Sequence, residues 1–341
     1  MREIIMKYIL NVSCLVPGDI ILVGYNNATG REIQRRTNSR YSHAMLFWYR
    51  SIIHASDIVI TENPSRMLFD EDEAVCVLRL KPDKWNEFAI QCLIEHARTF
   101  VGTYYDFDAL IAMKKGREVV PHPNRQMCSK FVSQCYEHVC LDLVEDYEMC
   151  TPEDIRKSDL LMEIHDSLLK ATQWDIDFAA SYDVTKDQHK AIKDFLEALN
   201  KQYPDVDIVS LNQLEDFIMK NPSEGDCVLG LLKQTDYFNL WEIEKEHCPY
   251  NYDVEEFKKM WRGNAGRMAC EVENDSERII EEKQGDIAEY ERRIEAIGDI
   301  EYYREMIALR KNIIEVSKER IVVARQVKKD LGVVKIKFPW C

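Results

Sequence analysis

The hydrophobic pattern of the chain changes once, near residue 175, and that change limits what it can fold into. Upstream, short bulky runs alternate with turn residues. Val16-Pro17-Gly18-Asp19 followed by Ile20-Ile21-Leu22-Val23 reads as a turn and a buried strand. Asn26 to Arg40 is polar, contains Asn-Asn-Ala-Thr-Gly, and reads as a loop. Tyr41 to Tyr49 and Ile52 to Ser56, split by Arg50-Ser51, read as a hairpin. Ala74 to Leu80 is a further strand. Residues 83–101 read as a helix, with Phe88, Leu93, Ala97 and Val101 at apolar positions. Thr151-Pro152-Glu153-Asp154 opens a short helix, with Pro at its first position. Strands followed by helices, without βαβ alternation, imply an α+β domain built on one antiparallel sheet.

Downstream, the pattern is helical throughout. Ile192, Phe195, Leu196 and Leu199 share one helix face. Ser210 and Asp253 each stand where an N-cap is expected. From 275 to 331, Ile300, Ile307, Ile314 and Ile321 recur every seven residues with charges between them. Gly298-Asp299 interrupts that stretch with a C-terminal glycine and a following cap residue. The expectation is an antiparallel helical hairpin, coiled-coil-like, packed on the protein itself in preference to a partner. Docking of a protein partner on the hairpin is the alternative. The chain thus divides into residues 1–172 and an all-helical region, 173–341.

The chemistry-bearing stretch lies at the end of the first region. Pro121-His122-Pro123-Asn124-Arg125 is hostile to helix, and Phe131, Val132, Cys135, Tyr136 and Val139 then fall at helical spacing. Cys128 therefore stands at a helix N-terminus, where orphan N–H groups and the dipole favour a thiolate. Cys135 and Cys140 read as packing. His43 and His54 lie on the two strands of the expected hairpin, where opposed side chains come within about 5 Å. A Cys and two His that can meet fit nucleophile, base and orienter. Cys128 would attack an acyl carbon, His43 would move the proton, and His54 would hold the His43 ring. The backbone N–H of Cys128 would serve as an oxyanion donor. The thiol is expected to be exposed in a cleft, with a lowered pKa.

Charge narrows the partners. The chain has 60 acidic and 45 basic residues, a net charge of −15. That excludes a basic nucleic-acid footprint and docking to anionic membranes. Eleven scattered cysteines with no Cys-x-x-Cys pair imply reduced thiols. Ile4-Ile5-Met6 is too short a run for a signal peptide or span, so a cytoplasmic protein is expected. Glu246-His247-Cys248 with Cys227 matches no common zinc spacing. No glycine-rich phosphate loop is present. Neither metal nor cofactor is expected. His122, near Cys128 in sequence, reads as a loop-shaping residue.

Six segments follow one another in a familiar order. They are Leu15-Val16-Pro17-Gly18-Asp19-Ile20, Tyr41-Ser42-His43-Ala44, Ile52-Ile53-His54-Ala55, Gly102-Thr103-Tyr104-Tyr105-Asp106, Cys128-Ser129-Lys130-Phe131-Val132 and Thr151-Pro152-Glu153-Asp154. Over residues 10–165 the chain resembles the circularly permuted papain-like amidases of the YiiX/YaeF type, relatives of the NlpC peptidases. The resemblance implies a permuted papain-like fold and a Cys/His hydrolase of amides or esters. It maps Cys128 onto the nucleophile and His43 onto the base. His54 takes the place of a third polar residue that is Glu in many relatives. Tyr105 matches a recurrent Tyr-Asp and becomes a candidate for substrate or oxyanion binding. Asp19 matches too, in a turn that reads as structural. The expected function is a cofactor-free thiol hydrolase: amidase, peptidase or lipid N-acyl hydrolase. An acyltransferase on the same site, or an inactive scaffold acting through the helical region, are the alternatives.

Overall fold

A computed structural model of the chain describes residues 6–115 and 120–333. Ile4 and Ile5, weighed above, lie outside the described residues. The strands are β1 (Lys7–Leu10), β2 (Ile20–Gly24), β3 (His43–Trp48), β4 (Ser51–Ala55), β5 (Val59–Glu62), β6 (Phe69–Asp70), β7 (Ala74–Leu80), β8 (Leu161–Ile164) and β9 (Leu168–Lys170). Their helices are α1 (Ala28–Thr37), α2 (Glu87–Thr99), α3 (Phe107–Lys115), α4 (Cys128–Glu137), α5 (Pro152–Arg156) and α6 (Gln173–Ala180).

Among the described residues two antiparallel sheets form where one was expected. The larger has six strands in the order β5-β4-β3-β2-β7-β8, and the smaller has the order β6-β1-β9. Alternation along the large sheet feeds two cores. Ile20, Leu22, Ala44, Leu46, Ile53 and Leu78 pack with α2 and α4. Ile21, Val23, Met45, Phe47, Ile52 and Val77 pack with Leu10 and Phe69 of the small sheet. Burial of both faces is why these strands read as unbroken apolar runs. The small sheet is the lid of the second core.

Two further expectations are corrected, and one strand went unread. Asn26 to Arg40 is not a loop throughout, because Asn27 accepts from the Gly30 N–H and caps α1. The short helix opened by Thr151 forms as read and ends at Arg156, and beyond it Leu161-Met162-Glu163-Ile164 pairs with β7 as a strand that was not read. Asp299 does not cap the last helix. Ile300 takes that position without a side-chain cap, and Asp299 pairs with Arg304.

The Gly18-Asp19 turn is structural, as read. Gly18 has φ 89°, a region that favours glycine. Its carbonyl accepts from the Tyr136 hydroxyl of α4. Asp19 is fully buried and meets Arg79 in a bidentate pair at 2.8 and 2.7 Å. The turn thus joins the sheet to the helix that begins with Cys128.

Compact units are Met1–Ser181 with Val209–Asn212, and Tyr182–Ile208 with Gln213–Cys341. The first extends past residue 172 by α6, whose Phe178 carbonyl accepts from Arg66 at 2.7 Å. The second unit is helical among its described residues: α7 (Val184–Gln202), α8 (Leu211–Lys220, from Gln213 on), α9 (Gly225–Leu232), α10 (Leu240–His247), α11 (Val254–Met260), α12 (Ala265–Ile297) and α13 (Glu301–Asp330). Gly298, at φ 98°, turns α12 into α13. Arg310 reaches Asp286 near the turn and Arg325 reaches Glu273 far from it, so the two helices run antiparallel. His247, weighed as a metal ligand, stacks on Tyr182 with ring centroids 4.3 Å apart.

Candidate active site

His43 is the first residue of β3, and His54 sits late in β4. The β3–β4 ladder opposes Leu46 with Ile53 and stops there. Extended one step, it would oppose His54 with Met45, so the two histidines meet on the diagonal and not as a direct pair. Diagonal neighbours lie within reach of long or aromatic side chains. Nε2 of His43 is 2.8 Å from Nδ1 of His54, with the rings at 89°. Burial holds His43 well below the usual imidazole range, and the His54 ring adds to that. The His43 ring is therefore held neutral.

Cys128 begins α4, as its surroundings predict. Met127 at the N-cap makes no side-chain cap, so the first-turn N–H groups stay available. The N–H groups of Cys128 and Ser129 are close to the sulfur and favour its charged form. So is that of Ala44, beyond the point where the β3–β4 ladder ends. The Tyr105 hydroxyl also faces the thiol. Tyr105 is held there by its N–H to the Asp57 carbonyl at 2.9 Å, and by a parallel bridge to Gln126.

Two expectations about the thiol are corrected. It is not exposed, since Cys128 is 5% accessible. Nor is its pKa lowered, because burial pushes it up and outweighs the converging N–H groups. Burial thus favours the neutral forms of both the thiol and the His43 imidazole. No hydrogen bond joins Cys128 to the His43 ring among the described residues; the thiol reaches β3 through Ala44.

Serine and lysine behind the thiol anchor the helix. Ser129 Oγ donates to the Cys150 carbonyl at 2.5 Å. Lys130, buried, donates to the His122 carbonyl at 3.1 Å, while the His122 N–H donates to Asp106 at 2.8 Å. His122 thus shapes the loop before Cys128.

The matching family is described as permuted papain-like amidases of the YaeF/YiiX type, C92 family, over residues 15–203. The chain belongs to that family. Within this family of permuted papain-like amidases, the chain has a mixed fold with antiparallel sheets and a helical C-terminal region. A solved structure titled metalloprotein yiiX from Escherichia coli O157:H7 is 16% identical, over 43% of this chain and 95% of that one, with a TM-score of 0.34. No curated protein matches the chain. No helix among the described residues is long and apolar enough to cross a membrane.

Two residues at the site escaped the sequence reading. Oε2 of Glu62, at the end of β5, lies 3.3 Å from Nε2 of His54. Tyr25 follows β2, and its ring centroid is 5.8 Å from that of His43. Burial raises the Tyr25 hydroxyl pKa, and Glu62, Glu73 and Cys128 add to the shift. Ile58-Val59-Ile60 was a readable strand signal, and it carries Glu62 to the site.

Proposed function

We propose that this amidase-family chain hydrolyses an amide or ester through an acyl-enzyme on Cys128, using no cofactor. His43 takes the thiol proton on Nδ1, the ring nitrogen left when Nε2 faces His54. The sulfur adds to the acyl carbon. The oxyanion is met by the Cys128 N–H and by Tyr105, both close to the sulfur. Collapse expels the amine or alcohol with the proton from His43. Water, activated by the same imidazole, then cleaves the thioester. Catalytic contacts that are long in a free enzyme tighten around substrate, so the resting separation of thiol and imidazole fits this order. Residues 1–172 carry the chemistry, and residues 173–341 are an accessory helical region.

The observation that supports the reading most is the His43–His54 contact beside an uncapped helix that begins with a cysteine. Intact-mass analysis after mixing with p-nitrophenyl acetate tests it. One acetyl group on Cys128, absent in Cys128→Ala, is expected. Acetylation elsewhere, with Cys128 untouched, would end the reading.

A further inference from the structure

We propose that Glu62 is a positioning residue that sets the tautomers of His54 and His43, and so decides which His43 nitrogen can take the thiol proton. The assignment of the proton acceptor rests on the reading of His43 as base.

A neutral imidazole carries one N–H and one lone pair. The 2.8 Å contact between His43 Nε2 and His54 Nδ1 holds one proton, which can sit on either ring. If it sits on His54 Nδ1, then Nε2 of His43 is the acceptor and its proton is on Nδ1. In that state Nδ1 has no lone pair for the thiol proton. If it sits on His43 Nε2, Nδ1 is free to accept. His54 must then carry its own proton on Nε2, which is the atom 3.3 Å from Glu62 Oε2.

An ionised carboxylate offers acceptors only, so at that end it selects the second arrangement. His54 is 6% exposed. Its Nε2 has no aligned hydrogen bond among the described residues, and a buried N–H without a partner is costly. The carboxylate that answers it comes from the neighbouring strand. The β4–β5 ladder opposes His54 with Ile60 and Ile52 with Glu62, so Glu62 shares the His54 face. β5 is the edge strand of its sheet and the Glu62 side chain is 35% exposed. Its negative charge also stabilises the imidazolium that forms when His43 takes the proton.

Two-bond proton–nitrogen correlation spectra of the histidine-labelled protein report which ring nitrogen is protonated. Wild type is expected to hold both His43 and His54 as Nε2–H tautomers. In Glu62→Leu both should move toward Nδ1–H, while Glu62→Asp keeps the wild-type pattern. With p-nitrophenyl acetate, Glu62→Leu should lower kcat by at least about 10-fold, as for a lost outer partner, with KM unchanged. The ceiling is about 10⁴-fold, the cost of a wrong tautomer. Glu62→Asp should recover most of that loss. If Glu62→Leu does not fold, Glu62→Gln serves, and a mixture of tautomers is expected because its amide can donate or accept. Unchanged tautomers in the variants overturn the proposal whatever happens to turnover. The expected tautomers in a protein that never acetylates Cys128 remove the amidase reading and leave the role of Glu62 standing.

Discussion

Nε2 of His43 lies 2.8 Å from Nδ1 of His54, and the two rings are nearly perpendicular. One ring therefore orients the other edge-on, and their roles in turnover should differ. His43→Ala should slow acetylation of Cys128 by about 10²–10⁴-fold, the usual share of a positioned base. His54→Ala should slow it less, since it leaves the base in place but free to rotate. Burst kinetics with p-nitrophenyl acetate measure both. Equal rates in both variants and wild type would sink the assignment.

Thiol reactivity should follow burial and not the helix dipole. Burial raises the Cys128 pKa, whereas Cys227 and Cys140 are exposed, the latter against its reading as packing. Iodoacetamide at pH 6 to 8 should therefore label Cys140 and Cys227 ahead of Cys128, by peptide mass mapping. Labelling of Cys128 should rise only in alkaline solution, above the range of an ordinary thiol. If Cys128 labels first at pH 6, a thiolate–imidazolium pair prevails and the neutral resting state is wrong.

The two cores explain which elements could be read from sequence. β2 and β3 are buried on both faces, so their apolar runs are unbroken and plain. α1 buries only Gly30 and Ile33, too little to make a period, and its one sequence signal is the Asn27 cap. β8 is short and its central Met162 and Glu163 are exposed, so it reads as neither strand nor helix. His43, His54 and Cys128 were legible because each is tied to a strong local signal, a hairpin or a helix start. The state of the thiol was not. It depends on what covers the sulfur, and Tyr105 and Ala44 are brought there by distant segments. Glu62 was missed for the same reason, because only the β4–β5 register reveals its proximity to His54.

Tyr105→Phe separates packing from chemistry. The Tyr105 ring packs against Phe107 at 5.0 Å, and phenylalanine keeps that contact. Only the hydroxyl facing the sulfur is lost. Acylation should fall by about 10²–10³-fold, as for an oxyanion donor, with KM and the urea midpoint unchanged. A variant as fast as wild type would leave Tyr105 a packing residue.

Arg79→Ala should be costly for stability. Asp19 is fully buried, and its carboxyl is pushed up by burial while Arg79 pulls it down. Removing Arg79 leaves that carboxylate uncompensated in the turn that anchors Tyr136. A loss of about 3–5 kcal/mol in urea unfolding is expected. A loss under about 1 kcal/mol would mean the pair is screened like a surface bridge.

Acid should unfold the protein through its histidines. His43 is held well below the ordinary value of 6.5, chiefly by burial. His96 is lowered to about 4, by burial first and then by His138, whose ring stacks on it at 3.8 Å. Both are neutral in the fold at a pH where the unfolded chain protonates them. The stability they contribute is thus complete above about pH 6.5, and it is lost as pH falls from there toward 4. His96→Phe keeps an aromatic ring against His138 and Phe100 but cannot take a proton. Urea midpoints measured from pH 8 down to 4.5 should fall less steeply in that variant than in wild type. Equal slopes would mean that the stacked pair does not couple protonation to folding.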